Sequence, residues 1–245
     1  MIEKEWWENK ELISFLEDLT PMGFKLVTLH DGTVRFDKVE TNRIVSIGLG
    51  IVMKKILHPD YIQSYISFFD IDGLIEPKLL KSLNIFDSYT LRSRNHGLIF
   101  NLEEGKGINE ILPIELVNEE AFIQAKQLIQ TYINTYPKPF FDYWTDIRCF
   151  LPFIETADGR KLNDYFTGYP TERKMIIWHL CNHPKSKEFT NETLKSWEEY
   201  SEANPNDAIF KRWTKNMQRI VKVLSKTPPL YEWDDSYLIA KKLIM

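Results

Sequence analysis

The apolar residues of this chain change their spacing near residue 115, and that change limits the folds open to it. Before it, short apolar runs are punctuated by turn residues such as Pro21-Met22-Gly23, Asp31-Gly32 and Asp70-Ile71-Asp72-Gly73. After it, apolar residues recur three and four apart over long stretches, as on one face of a helix. Strands gathered early and helices gathered late do not build a doubly wound fold, which alternates the two along its whole length. The order predicts an α+β fold, with an N-terminal helix and antiparallel β-sheet followed by a mainly α-helical C-terminal half. The reading divides the chain into a mixed part, 1–115, and a helical part, 116–245. No Gly/Ser-rich linker lies between them, so they form either two domains or one continuous domain.

Locally, residues 4–19 predict a helix through Trp6, Leu12, Ile13, Phe15, Leu16 and Leu19, halted by Pro21 and Gly23. Residues 24–30 and 33–39 predict two strands joined at Asp31-Gly32, a pair that suits a tight hairpin. In the second, Val34 and Phe36 alternate with Arg35 and Asp37, as in a half-exposed strand. A third strand covers 43–54. Residues 59–69 are read as a helix begun at Pro59, with a strand as the alternative, and 70–73 as a turn. A short helix is expected over 77–83 and strands over 89–95 and 97–102. Beyond them, Asn118 is placed to cap a helix carrying Phe122, Ala125, Ile129, Tyr132 and Ile133. Pro137 and Pro139 should stop it. Aromatic residues nearly surround 140–150, which predicts a buried helix. Further helices are expected over 171–183, 191–203 and 206–226, and a short one over 236–243.

A hydrophobic share of 43% and a charged share of 27% supply a core and exclude intrinsic disorder. With 31 basic against 35 acidic side chains the net charge is −4, which gives no overall pull towards nucleic acid or anionic membrane. The two cysteines, Cys149 and Cys181, are too few for a disulfide-held secreted domain. The N-terminus carries Glu3, Glu5 and Glu8 and no basic segment leading an apolar run. No apolar stretch reaches the ~18–20 residues of a membrane span. These features predict a cytoplasmic protein off the membrane.

Four constellations carry chemical potential. His179 and His183 are one helical turn apart and can chelate a metal, but Leu180 stands where a zinc hydrolase has its Glu, and Pro184 follows the second His. Asp142 and Asp146, also four apart, are placed for acid–base work if one helix carries both. Arg92, Arg94 and His96 alternate along an expected strand, forming either a cationic ridge for an anionic ligand or the solvated side of an edge strand. The helix 206–226 carries Lys211, Arg212, Lys215, Arg219, Lys222 and Lys226. Glu192, Glu198, Glu199 and Glu202 on the preceding helix are expected to pair with it internally, in place of an external anion. There is no phosphate-binding loop and no nucleophile elbow.

The opening helix, the Pro21-Met22-Gly23-Phe24-Lys25 turn and the following meander resemble small uncharacterised bacterial domains, some of which sit in toxin–immunity loci. The likeness covers the first quarter of the chain and transfers no catalytic residue. It implies an immunity-like role. Together these features predict a cytoplasmic, non-catalytic binding protein with another protein as partner and no cofactor. The alternative is an intracellular hydrolase using Asp142 and Asp146, or a metal at His179 and His183.

Overall fold

The computed structural model describes residues 10–28, 34–52, 56–58, 62–75, 89–93 and 113–240. The fold is α+β: an N-terminal helix, a five-stranded antiparallel sheet and a mostly helical C-terminal half. No helix among the described residues is long and apolar enough to cross a membrane. The chain forms two compact units, one drawn from Met1–Ile66 and Arg92–Tyr143, the other from Ser67–Leu91 and Trp144–Lys242.

In the first unit, α1 (Lys10–Leu19) buries Leu16 and Leu19. The chain then reverses through Gly23, whose φ of +85° is left-handed and costs a residue without a Cβ little. Strands β1 (Lys25–Thr28), β2 (Val34–Val39) and β3 (Arg43–Leu49) form the expected meander. Thr28 faces Val34, and Val34 faces Leu49 across the next ladder. Asp31-Gly32 lies outside the described residues. β2 is not half-exposed as its alternation suggested. Neighbours flank it on both sides, Arg35 is fully buried, and its Nε donates to the Asp37 carboxylate at 2.8 Å. Two opposite charges on one face of the strand are therefore paired inside the sheet.

The third expected strand breaks after Leu49. Ile51–Val52 (β4), Ile56–Leu57 (β5) and Ile114–Glu115 (β8) form a second, three-stranded sheet. Residues 59–69 do not form the expected helix. Gln63–Phe68 is a strand, β6, lying between β3 and β7 (Leu91–Arg92) in the order β1-β2-β3-β6-β7. A central strand is covered on both faces, so its burial does not alternate and its apolar residues mimic helical spacing. Asn118 caps α3 (Glu119–Thr135) as expected, accepting from the Ala121 amide at 2.9 Å. Pro137 does end that helix, but it also opens α4 (Pro137–Tyr143), because the first position of a helix needs no N–H.

In the second unit, 70–73 is not a turn but the middle of α2 (Phe69–Ile75). Its Asp72 is fully buried and accepts from Ser67 Oγ at 2.7 Å, Thr90 Oγ1 at 2.6 Å and Arg173 Nη2 at 2.8 Å. Short helices α5 (Leu151–Ile154) and α6 (Gly159–Leu162) lead to Gly168 and Tyr169, both at positive φ, which start α7 (Pro170–Leu180). α7 is buried nearly all round, including Glu172, Arg173 and Lys174. α8 (Ser186–Ala203) and α9 (Ala208–Leu224) complete the unit as a helical hairpin. Phe68, Trp144, Phe150 and Phe166 are fully buried in this unit, with Trp144 and Phe150 centroids 4.7 Å apart. Of the helix expected at 236–243, the described residues form a single 3-10 turn, Asp235–Leu238, and 241–243 lie outside them. The expected elements at 77–83 and 97–102 lie outside the described residues.

Candidate functional site

The helix that would align Asp142 with Asp146 ends at Tyr143. Asp142 lies on α4, 62% exposed, and its carboxylate pairs with Lys138 one turn before it. Asp146 instead caps a 3-10 turn, Ile147–Phe150, accepting from the Arg148 amide and Nε at 2.8 Å and from Tyr231 Oη at 2.9 Å. Burial pulls its carboxyl upward, but these donors outweigh it and hold the group below the usual carboxylate range. The Arg148 guanidinium also lies 4.2 Å from the centroid of the Tyr231 ring. Such a carboxylate is an ionised structural anchor and a poor proton acceptor. Arg92 is partly buried on β7; Arg94 and His96 lie outside the described residues.

His179 and His183 both line an open cleft of about 460 Å³, formed where α7 ends, α8 begins and α9 closes, together with Asn182, Lys187, Thr190 and Asn191. Their ring nitrogens are largely committed. His179 Nε2 is 2.7 Å from the Thr227 carbonyl, which only a ring N–H can satisfy. The Lys185 amide donates to His183 Nδ1 at 3.1 Å, so its proton is on Nε2, 3.0 Å from a Glu155 oxygen. The His183 ring stacks on Trp178 with centroids 4.0 Å apart. Burial pushes the His183 pKa down, Glu155 opposes it, and burial wins. On the other side of Trp178, the Lys174 ammonium sits 4.4 Å from the ring centroid and donates to the Glu155 and Ala157 carbonyls. Burial lowers its pKa too. No group of three or more His, Cys, Asp and Glu side chains among the described residues is arranged to hold a metal.

A different surface has the features of a docking face. The α8–α9 hairpin closes through Asp207, which caps α9 by accepting from the Ile209 and Phe210 amides. Met217, Ile220 and Leu224 are buried. Ile209, Phe210 and Trp213 lie one and two turns earlier on α9, where the core no longer reaches. There Ile209 is 50% exposed, Trp213 37% and, opposite on α8, Tyr200 54%. Trp197 meets Trp213 edge-on at 5.8 Å, and Tyr200 meets Phe210 at 4.7 Å. Beside them is a groove of about 360 Å³ lined by Thr171, Thr193, Ser196, Trp197, Tyr200 and Phe210. The helical period alone could not separate these aromatics from the core. Their pairing across the 204–207 turn is the signal that marks them.

The expected charge pairing between the two helices is not what joins them. Thr214 Oγ1 donates to the Trp197 carbonyl at 3.1 Å and Gln218 Nε2 to Glu198 at 2.9 Å, with the aromatic contacts beside them. Lys211, Arg212, Lys215 and Lys222 are exposed and pair with no carboxylate among the described residues. Arg219 turns inward, donating to the Leu74 and Ile75 carbonyls at the end of α2.

No protein-family model, no curated protein sequence and no solved structure matches this chain.

Proposed function

We propose that the chain is a non-catalytic protein-binding module of the cytoplasm, immunity-like in role, whose partner face is the aromatic end of the α8–α9 hairpin. The observation that carries this reading is the exposure of Tyr200, Ile209 and Trp213 together beside a groove. Large rings left in water beside a concavity are costly to a monomer and are common anchors of interfaces. Cys149 and Cys181 are buried thiols in no disulfide, which suits a reducing compartment, and burial pushes Cys181 up to about 12, as for an unreactive structural cysteine. The strongest chemical groups act as structural partners: Asp146 anchors Arg148, and His183 is held between Glu155 and the Lys185 amide.

Photo-crosslinking tests the reading. With p-benzoylphenylalanine at position 200 or 213, the full chain in its producing cells should give a discrete protein adduct, and the same group at the exposed position 164 should give none. The reading is overturned if positions 200 and 213 give no adduct beyond that control while a broad hydrolase panel shows turnover that His179→Ala abolishes.

A further inference from the structure

We propose that the groove takes one bulky apolar side chain from a basic segment of the partner protein, with Glu192 and Glu199 reading the segment's charge. This rests on the protein-binding reading above and adds the chemistry of the partner. The groove floor is Thr193, Trp197 and Phe210, with Tyr200 and Ser196 on the α8 wall and Thr171 at the start of α7. Its volume, about 360 Å³, is at the small end of ligand sites and suits one large side chain with its own backbone. The aromatic walls offer ring faces and edges, which favour an aromatic or branched aliphatic guest.

The rim supplies the charge argument. On a helix, residues three and four apart are neighbours on one face. Ser196 lines the groove, so Glu192, four before it, and Glu199, three after it, flank the opening on the same face of α8. Both are exposed. Glu188 extends the row by one further turn. Lys195 sits 3.6 Å from Glu199, an exposed pair that a guest cation can displace at little cost because such pairs are weak. The cations of α9 are on the other helix: Lys211, Lys215 and Lys222 are spaced four and seven apart and form a ridge of their own. On the α8 side, Glu188, Glu192 and Glu199 outnumber the one cation among them, Lys195, and such an edge beside an aromatic groove fits a cationic segment with an apolar anchor better than a nucleic-acid phosphate or an anionic headgroup.

Among the described residues of its unit, no other segment fills the groove. The apolar face of α9 that would seat a membrane surface is spent on the core through Met217, Ile220 and Leu224, each 2% exposed or less. That leaves the groove and its three exposed neighbours as the hairpin's free apolar surface among the described residues.

The test uses a phage-displayed library of random peptides panned against the full chain. A parallel counter-selection uses Ser196→Trp, which fills the groove, and circular dichroism and the melting curve establish that this variant is folded. The expected winners combine a Trp, Phe or Leu with an excess of Lys and Arg and are lost on Ser196→Trp. Synthesised as soluble peptides, they should bind at least about tenfold more weakly to Glu192→Lys/Glu199→Lys and more weakly in about 300 mM than in about 50 mM salt. Winners without a basic excess, or equal binding by the charge-reversed variant, overturn the basic partner while leaving the protein-binding reading in place. Winners that survive Ser196→Trp overturn the groove as the site. A panning with no enrichment overturns the inference, and the crosslinks at positions 200 and 213 with the hydrolase panel then decide the broader reading. A second copy of the chain as the occupant would appear as concentration-dependent dimerisation lost on Ser196→Trp, and it would also overturn the basic partner.

Discussion

At the scale of single residues, spacing made the candidates visible and burial decided what they do. Two histidines one turn apart are legible in any sequence. What spacing cannot show is that Lys185 offers its amide to His183 and that Thr227 offers its carbonyl to His179. Asp142 and Asp146 failed for a different reason: the backbone between them leaves the helix at Trp144, so four residues no longer mean one face. The pH dependence of folding follows from the same contacts. The folded pKa of His183 lies below the ordinary 6.5, with burial as the cause and Glu155 opposing. Its contribution is therefore complete above about 6.5 and is lost as pH falls through that value towards the folded pKa. Urea midpoints of the unmodified protein and of His183→Gln should draw together between about pH 7 and about pH 5. A constant gap would show that the ring does not titrate with folding. Glu172 has the opposite sign. Burial raises its carboxyl above 4.5, with Arg173 opposing, so its contribution is intact below 4.5 and is lost as pH rises through the folded value. Glu172→Gln should melt higher than the unmodified protein at neutral pH, and the gain should vanish as pH falls towards about 4.5.

At the scale of elements, what was legible is what local chemistry determines. The Asn118 cap, the stop at Pro21 and Gly23, and the meander of β1 to β3 each depend on residues within a few positions of one another. The misread segments depend on partners far along the chain. β6 is a strand because β3 and β7 flank it, and α2 is ordered around Asp72, whose cation, Arg173, comes a hundred and one residues later. Gly48 on β3 shows the same dependence on β6. A Cβ there would come within 2.6 Å of the Tyr65 ring, so Gly48→Ala must displace that ring inside the sheet. The expected cost is about 1–3 kcal/mol, readable as a lower denaturation midpoint with unchanged slope. The hairpin of α8 and α9 leads to a converse expectation. Its helices meet through rings and two hydrogen bonds, so Lys215→Glu with Lys222→Glu should shift stability by no more than about 1 kcal/mol at low salt. A larger loss in thermal melts would mean that the ridge is paired in solution after all.

At the scale of the whole molecule, the change of period near residue 115 reports secondary-structure content, and content is what fixed the α+β class in advance. It says little about which segments share a core, because that is decided by contacts between distant parts of the chain. The second unit takes α2 and Thr90 from before residue 115 and all its other helices from after residue 143. The junction is polar and buried. Arg173, fully buried on α7, donates to Asp72 at 2.8 Å, and the same carboxylate accepts from Ser67 and Thr90. Arg219 on α9 donates to the Leu74 and Ile75 carbonyls at the end of α2. A fragment spanning 116–245 keeps α7 and α9 but loses every one of those acceptors. Removing one partner of a buried ion pair costs about 3–5 kcal/mol, a large part of the total stability of a domain. The stranded Arg173 alone therefore brings the fragment close to unfolding, before the apolar loss of Phe68, Ile71, Ile75 and Leu91 from the core is counted. Fragment 116–245 should show helical circular dichroism without a cooperative thermal transition. A chain that joins 67–91 through a short Gly/Ser linker to 144–242 should restore the transition, because it restores Asp72, Ser67 and Thr90 to Arg173. Cooperative melting of 116–245 by itself, at a temperature near that of the full chain, would show that the helical half is a self-sufficient domain and that the Asp72–Arg173 network is dispensable.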